Sequence, residues 1–313
     1  MLSRTADHLF WTARYLERAD FLARILDSAL RLSSMPADYR GDNLWDSVIA
    51  SAGVSHAFYD KHARATERTV REFLAFDPDN PSSIHSCIAT ARANGRAVRT
   101  ALTAEMWGRI NDAWHDMQRD APAARASREG FAQFLEWVED ATMAFDGSAR
   151  RSMLRNDAYW FLRLGGAVER ADNTARLLDV KYHLLLPERE LVGGGVDYYQ
   201  WTTILREVSA LTAYHWVYRD RVRPWLVADL LILNAQMPRS LASSYEVIVR
   251  HLDLLADAYA LRGPSQRRAE DVRARIASSR IEEIFQSGLH EFITGFLVDN
   301  AEVARAIAEQ YLV

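Results

Sequence analysis

The chain of 313 residues is long enough to bury roughly three quarters of the surface that its unfolded form exposes. Hydrophobic residues make up 49% of it and charged residues 26%, the balance of an ordinary globular protein. The net charge of −4 excludes the broad basic field on which binding to nucleic acid or to anionic membranes depends. No run approaches the roughly eighteen consecutive apolar residues of a membrane span, so we expect no membrane interaction.

Cys87 is the single cysteine of the sequence. The sequence therefore predicts neither a disulfide framework nor a thiolate metal site, and a reducing cytoplasm is the expected location. The N-terminal stretch is interrupted by charges at Arg4, Asp7 and Arg14, so a signal peptide is not expected.

Helical periodicity runs through most of the chain. The first predicted helix covers residues 5–33, with Thr5 as its N-cap. The other helices of the first half are predicted, in order, at 43–76 (as one or two helices), 82–103 (capped by Ser82 or Ser83), 105–118 and 131–145, with a polar linker at 120–127. After a joint that begins at Gly147, the later helices are predicted at 157–186, 198–220, 224–233, 239–261, 265–286 and 289–313. Sustained two-residue alternation is absent, which predicts an all-α class.

An eleven-residue motif occurs twice in the sequence. The pattern Glu-Arg-Ala-Asp-x-x-Ala-Arg-(Ile/Leu)-Leu-Asp covers 17–27 and 169–179, and agreement of this extent indicates an internal duplication. Flanking segments align at similar offsets, and Pro36 and Pro187 are expected to end the two motif helices. We therefore predict a helical bundle of two homologous halves, 1–150 and 151–313, related by a pseudo-two-fold axis and forming one compact domain.

The charged residues of each motif share an arc of about 80° on a helix with 100° per residue. They are Glu17, Asp20, Arg24 and Asp27 in the first copy, and Glu169, Asp172, Arg176 and Asp179 in the second. An arginine four residues after an aspartate has the spacing of an intrahelical ion pair. Three interpretations stay open: a charge network between the halves, a ligand or catalytic site, and an ordinary solvated face. The charged residues are the same in both copies although neighbouring residues differ. This favours specific partners for the charged side chains.

The arginines of the motifs favour an anionic partner over a metal ion, because guanidinium binds carboxylate and phosphate bidentately. Bundle di-iron sites need Glu-x-x-His pairs, and neither motif contains histidine, so no metal and no cofactor are predicted. The remaining candidate members of the network are Arg14, Arg18, Arg170 and Arg239. Glu17 and Glu169 are the candidate general bases if the chain is an enzyme, since a carboxylate beside arginine is held ionised.

Gly165 and Gly166 lie inside the second predicted motif helix, where each glycine costs about 1 kcal/mol relative to alanine. Close approach of another helix, or backbone access for a ligand, is the expected compensation. Arg14 occupies the position that aligns with Gly166. If one site lies between the halves, we therefore expect the two halves to contribute different side chains to it.

Short blocks along nearly the whole chain resemble the bacterial alpha-E family in their order. These blocks are 1–4, 14–19, 80–84, 105–107, 161–165, 169–172, 178–182 and 238–241. Family members usually have Glu where this chain has Asp7 and Asp20. The resemblance implies a helical fold without a described catalytic residue set. It also implies association with circularly permuted ATP-grasp proteins that look like amide-bond ligases, and with transglutaminase-like peptidases.

On this resemblance we expect a non-catalytic accessory protein that takes part in peptide modification. It would bind an ATP-grasp ligase or its peptide substrate through the repeated motif. The alternative is an enzyme that acts on the peptide or amide product with Glu17 or Glu169 as general base, and the second alternative is a helical scaffold. The sequence lacks a Walker loop, a dinucleotide fingerprint, a G-x-S-x-G elbow and an H-E-x-x-H pair, which favours the non-catalytic interpretation.

Overall fold

The computed structural model describes residues 1–34, 43–183 and 195–312, without the side chains of 180–183 and 195–197. The predicted helix ends at Pro36 and Pro187 lie outside these residues. The described part of the chain is helical and contains no β-strand, which confirms the all-α prediction. None of its helices combines the length and the apolar character that crossing a membrane requires.

The described residues form a series of helices along the chain. In order they are α1 (Ser3–Ser33), α2 (Leu44–Ser51), α3 (Ser55–Tyr59), α4 (Glu67–Arg71), α5 (Ile84–Ala97), α6 (Ala104–Ala126), α7 (Arg128–Ser152), α8 (Asp157–His183), α9 (Gly195–Glu207), α10 (Leu211–Tyr218), α11 (Pro224–Ile232), α12 (Leu241–Tyr259), α13 (Pro264–Ser278), α14 (Ile281–Ser287) and α15 (Leu289–Ile307). A π-helical turn follows α4 at Glu72–Phe76, and another follows α15 at Ala308–Leu312.

The two motif helices, α1 and α8, pack side by side at the centre of the bundle. Phe10 faces Gly165 and Glu17 faces Arg170, so both helices run in the same direction. α1 also packs against α5 and α7, whereas α8 also packs against α2, α12 and α15. Because both helices have neighbours on several sides, the polar motif residues Asp20, Arg24 and Glu169 are buried.

Two helices of the first half are longer than the sequence predicts. The linker predicted at 120–127 is wrong, because α6 continues to Ala126. Alanine is the strongest helix former, and the alanines around Pro122 sustain the helix. α7 likewise runs past Gly147 to Ser152, since Ala149 in its last turn is still buried in the core.

Other predicted segments are broken, or begin elsewhere. Residues 43–76 form three short helices, because Gly53 with φ +68° ends the first of them. The helices predicted at 198–220 and 265–286 each divide in two. Thr5 is not an N-cap, since α1 begins at Ser3. Ser83, not Ser82, caps α5, and Ser240 caps α12 in the same way.

Candidate functional site

The glutamate of each motif is bound by the arginine of the other motif. Glu17 accepts hydrogen bonds from Nε and Nη2 of Arg170 at 2.8 and 2.5 Å. Glu169 accepts from Nε of Arg18 at 2.6 Å and from Nε of Arg14 at 2.7 Å. These reciprocal pairs join α1 to α8, and they occupy both oxygens of each glutamate.

Burial fixes the charge state of this cluster. The side chain of Glu169 is 2% exposed, and burial by itself raises its pKa. Arg14 and Arg18 outweigh that effect, so the pKa of Glu169 lies below its ordinary value and the carboxylate is ionised at neutral pH. Glu169 has no unoccupied oxygen and no access to solvent, so its surroundings do not suit a general base.

Asp20 extends the cluster toward α7 and α12. It accepts from Nε and Nη2 of Arg24 at 2.9 and 3.0 Å, and from Nη2 of Arg239 at 2.9 Å. Arg24 also pairs with Glu139 of α7 at 2.8 Å. Burial raises the pKa of Asp20, but Arg239 and Arg24 lower it further, so this carboxyl is ionised as well. Arg239 also reaches Glu17, at 3.4 Å.

The rest of the predicted site residues form pairs with no hydrogen bond to this cluster within the described part of the chain. Asp27 forms an intrahelical pair on the protein surface. Asp172 and Arg176 pair with each other at 2.6 Å on α8. Asp179 contacts His290 of α15, also at 2.6 Å. The stripe that the sequence predicts is therefore divided into one central cluster and three peripheral pairs.

A cavity of about 350 Å³ lies beside the cluster, between α1, α7 and α8. One part of its wall is apolar and includes Leu16, Phe145 and Leu162. The other part is charged. It consists of the carboxylates of Glu17, Asp20 and Asp146 and the guanidinium groups of Arg150, Arg163, Arg170 and Arg239. The lining thus carries one net positive charge.

The charged wall has more donors than acceptors. Asp146 accepts from Arg163 at 2.6 Å and from Arg150 at 2.7 Å, so all three carboxylates have both oxygens occupied. Both Nη atoms of Arg150, Nε and Nη2 of Arg163, and Nη1 of Arg170 donate no hydrogen bond to any described residue. Burial lowers the pKa of Arg163, and Asp146 offsets this only in part. The wall is suited to an anion.

The two glycines of α8 have different surroundings. A Cβ on Gly165 would lie 2.0 Å from the carbonyl oxygen of Phe10, so this glycine permits the close approach of α1. A Cβ on Gly166 would meet only the Cβ of Ala13 at 3.9 Å, and Gly166 borders the cavity. Arg14, at the position that aligns with Gly166, reaches Glu169 instead.

Sequence reasoning missed the contribution of α7. Glu139, Thr142, Asp146 and Arg150 lie on the face of α7 that meets the cluster and the cavity. Their spacing of three or four residues places them on one helix face. This spacing could have predicted a polar face on α7, but unlike the Glu-Arg motif it is not repeated in the sequence.

Other reactive groups contribute little here. Among the described residues, no three His, Cys, Asp or Glu side chains are grouped so as to hold a metal ion. The Cys87 thiol is fully buried, and burial raises its pKa to about 12. The thiolate form is therefore scarce at neutral pH, and Cys87 does not suit a nucleophilic role.

A second cavity, of about 270 Å³, contains Glu207 beside α1 and α7. Burial and the nearby Asp27 carboxylate raise the pKa of Glu207 to about 8, although Ser28 opposes this.

The raised pKa of Glu207 makes the stability of the folded protein depend on pH. The contribution of Glu207 to the free energy of unfolding is complete below the ordinary pKa of 4.5, and it is lost as the pH rises to about 8. Replacing Glu207 with glutamine should remove this loss, which we expect to be about 1–2 kcal/mol because the side chain is only partly buried. Urea unfolding at about pH 5 and about pH 9 measures it, and parallel pH profiles for the two proteins would contradict it.

The fold and the site define an all-helical protein whose two Glu-Arg motifs form a buried ion-pair network. The chain belongs to the Alpha-E family. The model of that family, described as a predicted alpha-helical domain with a conserved ER motif, matches residues 1–312 and confirms the resemblance. Glu-Arg is the dipeptide that opens both copies of the repeated motif, at 17–18 and 169–170. No curated protein and no solved structure shows significant similarity to the chain.

Proposed function

We propose that this protein is a non-catalytic accessory protein that binds a carboxylate-bearing peptide in the cavity between α1, α7 and α8. One observation carries the proposal: every carboxylate in the cavity wall is already satisfied, whereas Arg150, Arg163 and Arg170 keep unused N–H groups. The side chains of Arg163 and Arg170 are 13% and 19% exposed, whereas that of Arg150 is 51% exposed, so the unused donors of the first two chiefly favour an anionic guest.

The volume and the lining of the cavity further limit the kind of guest that it can hold. A volume of about 350 Å³ is at the small end of the range for ligand sites, roughly 300–1,000 Å³. The apolar wall at Leu16, Phe145 and Leu162 favours a guest that carries apolar groups beside its charge. A peptide C-terminus of two or three residues has this combination of one carboxylate and apolar side chains.

We infer the protein partner from the resemblance to the alpha-E family, and not from contacts in the structure. Relatives in the alpha-E family are associated with ATP-grasp proteins that look like amide-bond ligases. A ligase of that class activates a carboxylate, so an accessory protein that binds peptide carboxylates would present or retain the ligase substrate. We therefore propose an ATP-grasp ligase as the protein partner.

We further propose that residues 1–150 and 151–313 are homologous halves related by a pseudo-two-fold axis. The reciprocal pairs Glu17–Arg170 and Arg18–Glu169 support this relation. So do the equivalent caps of α5 and α12, where Ser83 and Ser240 each accept from the backbone N–H three residues on. The unequal positions Arg14 and Gly166 account for the larger cavity on one side.

Peptide binding is tested by isothermal titration with a tripeptide that has a free C-terminus and with its C-terminal amide. We expect the amide to bind at least about tenfold more weakly, since it lacks the charge that the arginines pair. Gly166→Leu should abolish binding by filling the cavity, whereas Gly166→Ala is the matched control for the change in helix backbone. Equal affinity for both peptides would contradict the proposal.

The accessory role is tested by co-purification with the ATP-grasp ligase and by ligase turnover with and without the protein. We expect a complex, and turnover that falls by at least about tenfold with Gly166→Leu. Product formed by the protein alone, and lost in Glu17→Gln, would instead support the enzyme. A complex and turnover that no cavity variant changes would support the scaffold.

A further inference from the structure

A smaller polar cavity lies against the same two helices but faces α2 and the start of α5 instead of α7. Its volume is about 150 Å³. The polar side chains of its lining come from Arg18, Ser82, Glu169, Asp172, Asn173 and Arg176. Under the proposed duplication, these include the counterparts of Arg170, Arg239, Glu17 and Asp20 in the larger cavity.

The donors of this cavity exceed its acceptors. Both oxygens of Glu169 are occupied, and Asp172 accepts from Nε of Arg176 at 2.6 Å. Nη2 of Arg18 and both Nη atoms of Arg176 donate no hydrogen bond to any described residue. Asn173 is 7% exposed, and its buried Nδ2 has no acceptor. A buried amide donor without a partner is rare in folded proteins, and Asn173 belongs to the lining of this cavity.

The backbone around the cavity positions one of these donors. Gly53 adopts φ +68°, and a Cβ there would lie 2.6 Å from Nη1 of Arg176. Glycine therefore lets the guanidinium lie directly on the loop after α2. Ser82, which lines the cavity, immediately precedes Ser83, the N-cap of α5, so the positive end of this helix lies near the cavity. Arg176 also lines the cavity, and its guanidinium adds positive potential there.

We propose that this cavity is a binding site for a small oxyanion, held by Arg18, Asn173 and Arg176. The guest is a small carboxylate or phosphate, since the cavity has a volume of only about 150 Å³. Asp172 has a second oxygen without a hydrogen bond from any described residue, so a guest that also carries an O–H or N–H donor fits better. This site is independent of what the larger cavity binds.

The test uses the whole protein and two probes, inorganic phosphate and acetate, in separate calorimetric titrations at low ionic strength. We expect at least one probe to bind with a Kd of about 1 mM or tighter. Asn173→Asp should weaken binding at least about tenfold, because it places a carboxylate where the donor was. Gly53→Ala should weaken it similarly by displacing the Arg176 guanidinium while keeping its charge. Gly166→Leu is the control, since it fills only the larger cavity.

Each outcome decides the proposal. Binding that Asn173→Asp or Gly53→Ala weakens and Gly166→Leu does not weaken belongs to this cavity. If only phosphate binds in this way the site is a phosphate site, if only acetate does it is a carboxylate site, and if both do it is a general oxyanion site. No heat with either probe up to about 50 mM would overturn it. Unchanged affinity in both Asn173→Asp and Gly53→Ala would do the same, and Gly53→Ala decides alone if Asn173→Asp does not fold. If the unaltered protein binds the peptide but neither probe, this site is rejected and the proposed function stands.

Discussion

Replacing Gly165 with alanine is expected to destabilise the protein by about 3 kcal/mol or more, or to prevent folding. The added Cβ would lie 2.0 Å from the carbonyl oxygen of Phe10 and 2.8 Å from its carbonyl carbon. These are backbone atoms of α1, so no side-chain rotation relieves the contact. α1 and α8 must move apart, and the Glu17–Arg170 hydrogen bonds at 2.5 and 2.8 Å lengthen with them.

Gly166→Ala is the matched control for this substitution. It adds the same methyl group one residue further along α8, where the only neighbour within 4 Å is the Cβ of Ala13 at 3.9 Å. The higher helix propensity of alanine should then stabilise the protein by up to about 1 kcal/mol. Urea unfolding of the three proteins measures the difference. If both variants unfold at the same urea concentration, close packing at Gly165 is not what α8 requires.

The sequence predicts the central pair of helices well because its signals are local. Leucine and alanine at helical spacing mark α1 and α8, and the repeated motif singles out Glu17 and Glu169. The pair Asp20–Arg24 also follows from sequence spacing alone and is present in the structure. Errors arise where one local signal competes with another, as at 120–127, where alanine propensity prevails over the polar and proline residues.

The cavity is less predictable, because it depends on how distant helices align. Arg163 and Asp146 meet only through the packing of α7 against α1 and α8, and no sequence spacing encodes that register. The same holds for Arg239, which reaches Glu17 and Asp20 from the segment before α12. The sequence marked Arg239 by its place in an aligned block, but the contacts themselves come from tertiary structure.

Replacing Glu169 with glutamine is expected to destabilise the protein by about 3 kcal/mol at neutral pH, since removing one partner leaves buried charge unpaired. Two arginines lose their carboxylate at once, because Arg14 and Arg18 each donate to a different oxygen of Glu169. Asp172→Asn is the control on the same helix. It breaks a single pair with Arg176 whose side chains are 21% and 35% exposed, and it should cost at most about 1 kcal/mol.

The pH dependence separates loss of charge from loss of packing at Glu169. Burial raises the pKa of this carboxyl, but the arginines lower it further, below the ordinary value of 4.5. Its stabilisation is therefore complete above about pH 4.5 and is lost as the pH falls through the folded-state pKa. The gap between wild type and Glu169→Gln, measured by urea unfolding, should narrow from about pH 5 to about pH 3. A gap that stayed constant over this range would mean that the glutamate joins α1 to α8 by shape, and that its charge contributes nothing.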